Sequence, residues 1–255
     1  MVSTTVRIGD KWAANISRAF EEWAEKTRLE GRSNTPIIRF DPTPLIEGAF
    51  FESGEAQLTE LGKLLGTGIK FDLRSPEAEA WIKKYAGQEI KYIAAANKKA
   101  IQQIVLRGFE EGLSPQQQSR LIRQYIGLLP QHVIAVQKYR DTLGDIDPAL
   151  ADRLEEKYRR KLLKWRADTI GLTEGHTAAN EGNREANRGA VDRGIFLPDE
   201  WERYWMITRD KRTCPTCEGL SGARADLPDG DFEGDGRGPP LHQRCRCCEG
   251  LRKKK

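Results

Sequence analysis

Five cysteines (Cys214, Cys217, Cys245, Cys247 and Cys248) and one histidine, His242, fall within 35 residues of a 255-residue chain that has no other cysteine. Cys214 and Cys217 form C-x2-C, His242 and Cys245 form H-x2-C, and 24 residues separate the two pairs. Thiolate sulfur and imidazole nitrogen are the donors zinc takes in tetrahedral sites, and two close pairs joined by a loop supply four of them. The spacing predicts a metal site on Cys214, Cys217, His242 and Cys245. Cys247 competes for the fourth position, because a C-x-C pair also chelates, and Cys248 stands outside the set. The loop between the pairs carries six glycines and five acidic residues from Asp226 to Asp235, too little apolar surface to fold alone. Closing it with a structural Zn2+ would contribute on the order of 10 kcal/mol to local folding.

Other chemistries fit less well. "CPTC" matches a dithiol oxidoreductase, whose first thiolate is activated at a helix N-terminus, but the following "EGLSG" makes a poor helix start. A zinc deaminase needs H-x-E ahead of P-C-x-x-C, and none of His132, His176 and His242 is followed two places on by Glu. A zinc nuclease would leave one coordination position for water, whereas cysteine-rich sets are usually closed structural sites. The reading is therefore non-enzymatic, with a zinc-dependent nuclease or a dithiol oxidoreductase as the alternative.

Composition sets the frame for this site. At 38% hydrophobic and 31% charged residues the chain is globular and well solvated, which suits long helices. No apolar run approaches a membrane span and "MVSTTVRIGDKW" lacks a signal-peptide core, so synthesis in the cytosol and no membrane partner are expected. In a reducing compartment clustered cysteines bind metal more often than they cross-link. The net charge of +4 is spread evenly, but "KYRRKLLKWR", Lys157 to Arg166, has six basic residues and no acid, and the chain ends "LRKKK". Both segments read first as a solvated helix face and a basic tail, and either could meet phosphate.

The elements that must carry the site read as mostly α, a helical body followed by a small zinc-stabilised α+β module. Trp12, Ile16, Phe20 and Trp23 form one stripe of a first helix from Lys11 to about Gly31. Residues 31–48, with three prolines, read as a loop, and a second helix follows at about 50–65. Ser75 and the "SPQQ" at Ser114 to Gln117 are N-terminal caps, and Ile90 to Val105 keep helical spacing. Short helices then follow, one after Pro130 through Val133, Val136 and Tyr139, another from "DIDPAL" through Trp165. From 166 to 194 the pattern stays helical but rich in Ala, Gly and Asn, as in close helix packing. Trp201, Tyr204, Trp205 and Ile207 predict one or two strands. The expected division is 1–90, 91–194, the module at 195–250 and the tail at 251–255.

Several motifs occur in a fixed order. They are Thr173-Glu174, Asn180-Glu181-Gly182, Trp205, Asp210-Lys211-Arg212-Thr213-Cys214-Pro215-Thr216-Cys217, Leu220-Ser221-Gly222 and Pro239-Pro240-Leu241-His242-Gln243-Arg244-Cys245-Arg246-Cys247. In this order they resemble the phage Mu protein F-like minor head proteins, the phage head morphogenesis family. The match covers about residues 166–248, with weaker helical similarity back to about 90. It departs at Leu172, where an arginine is common, and at Cys248, where a small hydroxyl residue is usual. The resemblance implies a virion head component made in the host cytoplasm, bound to the portal protein and to other head proteins such as the major capsid or scaffold. It implies a role in head morphogenesis, DNA packaging or ejection. Packaged DNA, met through Lys157–Arg166 or the Lys/Arg tail, is a further expected partner, and Thr173, Glu174, Asn180 and Gly182 are expected to orient the module.

Overall fold

The computed structural model describes residues 4–30, 40–65, 80–82, 84, 85, 95, 96, 99, 100, 125, 127–232, 236 and 238–254. Helix α1 spans Thr4–Glu30. It starts ahead of Lys11 because Val6 and Ile8 extend the buried stripe of Ile16 and Phe20. Helix α2, Thr43–Leu65, likewise takes in residues that read as loop. Pro44 lies in its first turn, where a missing N–H breaks no helical bond, and Ile46 and Ala49 are fully buried. The caps expected at Ser75 and Ser114 to Gln117, and most of the stripe from Ile90 to Val105, lie outside the described residues.

Helix α3, Pro130–Thr142, follows extended Leu129 with its proline at the first helical position. Helix α4, Pro148–Asp192, is a single helix of 45 residues. The Asp147 carboxylate caps its start by accepting from the Leu150 N–H at 2.8 Å. It ends where Gly194, at φ +69°, turns the chain back and its N–H bonds the Val191 carbonyl. The glycines along α4 are accommodated by packing: a Cβ at Gly175 would lie 2.7 Å from the Ala13 nitrogen of α1, and one at Gly182 would overlap the Phe50 carbonyl of α2. The small residues of 166–194 therefore serve close helix packing, as expected.

Strand β1, Trp201–Met206, is central in a sheet with β2, Arg224–Asp226, and β3, Cys248–Lys253, in the order β2-β1-β3, both pairings antiparallel. The register runs from Trp201 opposite Lys253 to Met206 opposite Cys248. The fold is thus mostly helical with a small C-terminal sheet, and a short helix α5, Pro215–Gly219, lies between β1 and β2 in the chain. Residues 251–253, which read as the start of a basic tail, belong to β3: Arg252 bonds Glu202, Lys253 lies over the Trp201 ring, and Lys254 bonds Asp226. Alternation across the pleat and cross-strand pairing make these cations part of the sheet.

The chain forms two compact units, Met1–Ile16 with Thr43–Lys84 and Thr169–Lys255, and Ser17–Pro42 with Tyr85–Asp168. They do not follow the linear division expected from the sequence, because α1 and α4 each contribute to both. In the first unit Leu58, Ala186, Ala190, Phe196 and Leu227 form a core, with Trp201 and Leu251 of the sheet packed against it. In the second, α3 and the start of α4 form an antiparallel hairpin, with Tyr139 against Tyr158 at 4.7 Å and His132 edge-on to Trp165 at 5.4 Å. No helix among the described residues is long and apolar enough to cross a membrane.

Candidate metal centre

The two ligand pairs sit in unlike local structures. Cys214 is the N-cap of α5, its sulfur 3.4 Å from the Cys217 backbone N–H that it accepts from, and Pro215 takes the first helical position. A helix therefore does start at Pro215, contrary to expectation, because proline is pre-set for that position and the Cys214 sulfur does the capping. The second pair lies on a tight turn in which the Cys245 N–H bonds the His242 carbonyl at 3.0 Å. Arg244 adopts φ +63° there, the left-handed region that a side chain rarely enters.

These elements bring the ligand atoms together. His242 Nε2 lies 3.2 Å from the sulfurs of both Cys214 and Cys217, and Cys217 Sγ lies 3.7 Å from Cys245 Sγ. Around a zinc with bonds of about 2.3 Å, tetrahedral sulfurs stand about 3.8 Å apart. Two groups of three donors could hold a metal ion, Cys214 with Cys217 and His242, and Cys217 with Cys245 and Cys247. Cys217 belongs to both. None of the five cysteines is in a disulfide. Cys248, at the start of β3, is buried and belongs to neither group.

The electrostatics suit a cation. The Cys217 N–H holds the Cys214 thiol down at about 7. A hydrogen bond from Cys247 holds Cys245 at about 5, and the same bond pushes Cys247 up. Burial pushes Cys217 up to about 12. Sulfurs packed this closely in an apolar shell of Trp205, Ala225 and Phe232 cannot all be thiolates unless a positive ion stands among them. His242 Nδ1 bonds the Gln243 carbonyl at 2.8 Å, the main reason its pKa is raised, and this bond leaves Nε2 to face the sulfurs as a ligand nitrogen.

Helix α4 anchors this segment. The Arg244 N–H donates to Thr173 Oγ1 at 3.1 Å, and Arg244 Nη1 donates to Thr169 Oγ1 at 3.0 Å. Asn180 donates to the Cys247 carbonyl and accepts from the Glu249 N–H, while Asn183 donates to the Glu249 carbonyl. Gly182 faces α2, and Glu174 is buried.

Charged residues, most of them missed by sequence reasoning, pair around this module, and Asp210 and Arg246 of the motifs are among them. Glu249 is fully buried on β3, with Arg184 Nε at 3.4 Å and Arg203 Nε at 3.5 Å. Arg203 also donates to the Pro228 carbonyl and lies over Phe232. Asp210 receives two bonds from Arg246, which hold its carboxyl down at about 2. Buried His176 bonds Asp10 of α1 at 3.0 Å, and that bond lowers the Asp10 pKa. A charge inside a short strand was the one available signal for Glu249, and alternation cannot tell a buried acid from an exposed one.

The basic segment at 157–166 is only partly a surface. Arg159 is buried and paired with Glu156 and Glu25, and Arg166 is buried and donates to the Gly127 carbonyl. Lys157, Arg160, Lys161 and Lys164 remain exposed. Compared with known proteins, the chain matches no family model, no curated protein and no solved structure.

Proposed function

We propose that the protein is a minor head protein of the phage Mu protein F-like type, incorporated into the virion head at the portal vertex after synthesis in the host cytoplasm. In this reading Zn2+ is a structural clip held by Cys214, Cys217, His242 and Cys245, with Cys247 the substitute for Cys245, and the protein is not an enzyme. One observation carries it. Thr173 and Asn180, two of the helix residues the resemblance singles out, bond the backbone of Arg244 and Cys247 inside the Pro-Pro-x-His-x-x-Cys-Arg-Cys segment. Motif positions far apart in sequence thus meet where a role in orienting the module requires. The reading does not depend on DNA contact.

A dithiol oxidoreductase is the competing reading, favoured by a half-buried Cys214 with a thiol near 7 at the start of a helix. Native mass spectrometry of the protein co-expressed with its portal protein separates the two. One zinc per chain and a portal complex are expected. A metal-free chain lighter by two hydrogens at Cys214 and Cys217, with no portal complex, would overturn the proposal in favour of redox chemistry.

A further inference from the structure

The α3–α4 hairpin is chemically polar along its length. Its tip, residues 141–152, carries Asp141, Asp145, Asp147 and Asp152 and no basic residue, while its stem, 157–166, carries six basic residues and no acid. Residues 144–150 are all exposed, and among them Ile146 and Leu150 are 37% and 41% exposed. On the stem Trp165 is 47% exposed. At 100° per residue Lys157, Arg160, Lys161, Lys164 and Trp165 fall on one face of α4. These two patches hold three of the five large apolar side chains exposed among the described residues. Apolar side chains gathered within charged rims mark interaction surfaces.

The two patches are complementary, yet they cannot meet within one chain. Leu150 and Trp165 lie on the same unbroken helix, 15 residues apart, which at a rise of 1.5 Å per residue is about 22 Å. We infer that the acidic, apolar hairpin tip of one copy docks on the basic, Trp165-bearing stem of a second copy. Such a contact either closes reciprocally, each copy's tip on the other's stem in a two-fold dimer, or runs heterologously into a ring or a filament. Opposite rims set the register and speed encounter, and the apolar centres supply the burial. A nucleic acid on the stem would use its lysines and stack on Trp165, but it would leave Ile146 and Leu150 uncovered.

The test is sedimentation velocity of the full chain over a range of concentrations at low and high salt. Wild type is expected to self-associate at low salt and to dissociate as salt screens the rims. A tip variant, Ile146→Ser with Leu150→Ser, and a stem variant, Lys161→Glu with Lys164→Glu, should each weaken association about tenfold or more. Mixed in equal amounts, the two should form a dimer that grows no further, because the intact stem of the first meets the intact tip of the second. The mixture also controls for misfolding, since a misfolded variant could not pair. A monomeric wild type, association that survives both variants, or a mixture that stays monomeric would each overturn the inference. So would a monomer that shifts DNA mobility through Lys161 and Lys164, which would make the stem a nucleic-acid surface instead.

Discussion

The backbone N–H of Arg244 donates to the hydroxyl of Thr173 at 3.1 Å, across 71 residues of sequence. Arg244 sits at φ +63° between His242 and Cys245, so this bond holds in place the strained turn that sets the spacing of two candidate ligands. A residue at such a φ costs on the order of 1 kcal/mol and persists when its surroundings impose it. Thr173→Val keeps the shape and removes the acceptor. Loss of a bond that orients ligands typically costs 10- to 100-fold in metal affinity, so zinc transfer to a chromophoric chelator should be at least about tenfold more favourable, with helicity unchanged. Arg244→Gly keeps the N–H and relieves the strain but removes the Nη1 bond to Thr169, so it should hold zinc more tightly than Thr173→Val does. Equal retention by Thr173→Val and wild type would remove the hydroxyl from this role.

Removal of the metal should act locally. The cysteine sulfurs share a cluster with Trp205 and Phe232, whereas the core of Leu58, Ala186 and Phe196 does not include them. Cys214→Ser, or chelation of wild type, should make residues 200–253 protease-sensitive while the far-ultraviolet helical signal stays largely intact. Unchanged protection of that segment would mean that the sheet folds without the clip.

The Cys/His cluster was legible because cysteine and histidine spacing survives any fold, and α4 was legible because its apolar period and small residues persist. Its continuity past Trp165 was not, since the shift at 166 to Ala, Gly and Asn looks like a new element until the backbones of Ala13 and Phe50 are seen packed against Gly175 and Gly182. The early start of α2 was hidden by Pro44, which stops a helix at most positions and starts one here. The resemblance pointed to Thr173 and Asn180, yet only the structure pairs them with Arg244 and Cys247. Glu249, Arg184 and Arg203 were illegible because long-range pairing of charges leaves no local pattern.

That charge group should be costly to break. Glu249 is fully buried between two arginines, and a Cβ at Gly238, which sits at φ +126°, would stand 3.1 Å from both Glu249 Oε2 and Arg184 Nη2. Removing one partner of a buried pair leaves the other charge uncompensated and typically costs about 3 to 5 kcal/mol. Glu249→Ala should therefore lower the urea midpoint by more than Arg188→Ala, whose ion pairs with Glu185 and Asp229 are partly exposed. Equal effects would show that burial adds nothing to this pair.

Two glycines of α4 offer a controlled comparison. A Cβ at Gly182 meets the Phe50 backbone, which cannot yield without moving α2, whereas at Gly189 the nearest neighbour is the flexible end of Arg193 at 3.2 Å. Gly182→Ala should destabilise by about 1 to 3 kcal/mol as an overpacked site. Gly189→Ala should be neutral or stabilising by up to about 1 kcal/mol through helix propensity. Thermal melts of the two variants beside wild type decide it, and equal shifts would contradict the close helix contact.

Glu156 gives a pH-dependent prediction in the second unit. Hydrogen bonds from Arg159, and then from Arg160, hold its carboxyl down at about 2 against an ordinary 4.5. A depressed folded pKa means the unfolded chain binds the proton more tightly, so the stabilisation is fully present above about pH 4.5 and is lost as pH falls through about 2. Its side chain is 35% exposed, and solvent screening reduces the contribution to about 1 kcal/mol. Glu156→Gln should therefore unfold at lower urea than wild type near neutral pH, with the gap closing between about pH 4.5 and pH 2. A gap that stays constant across that window would assign the effect to packing around buried Arg159, not to the charge.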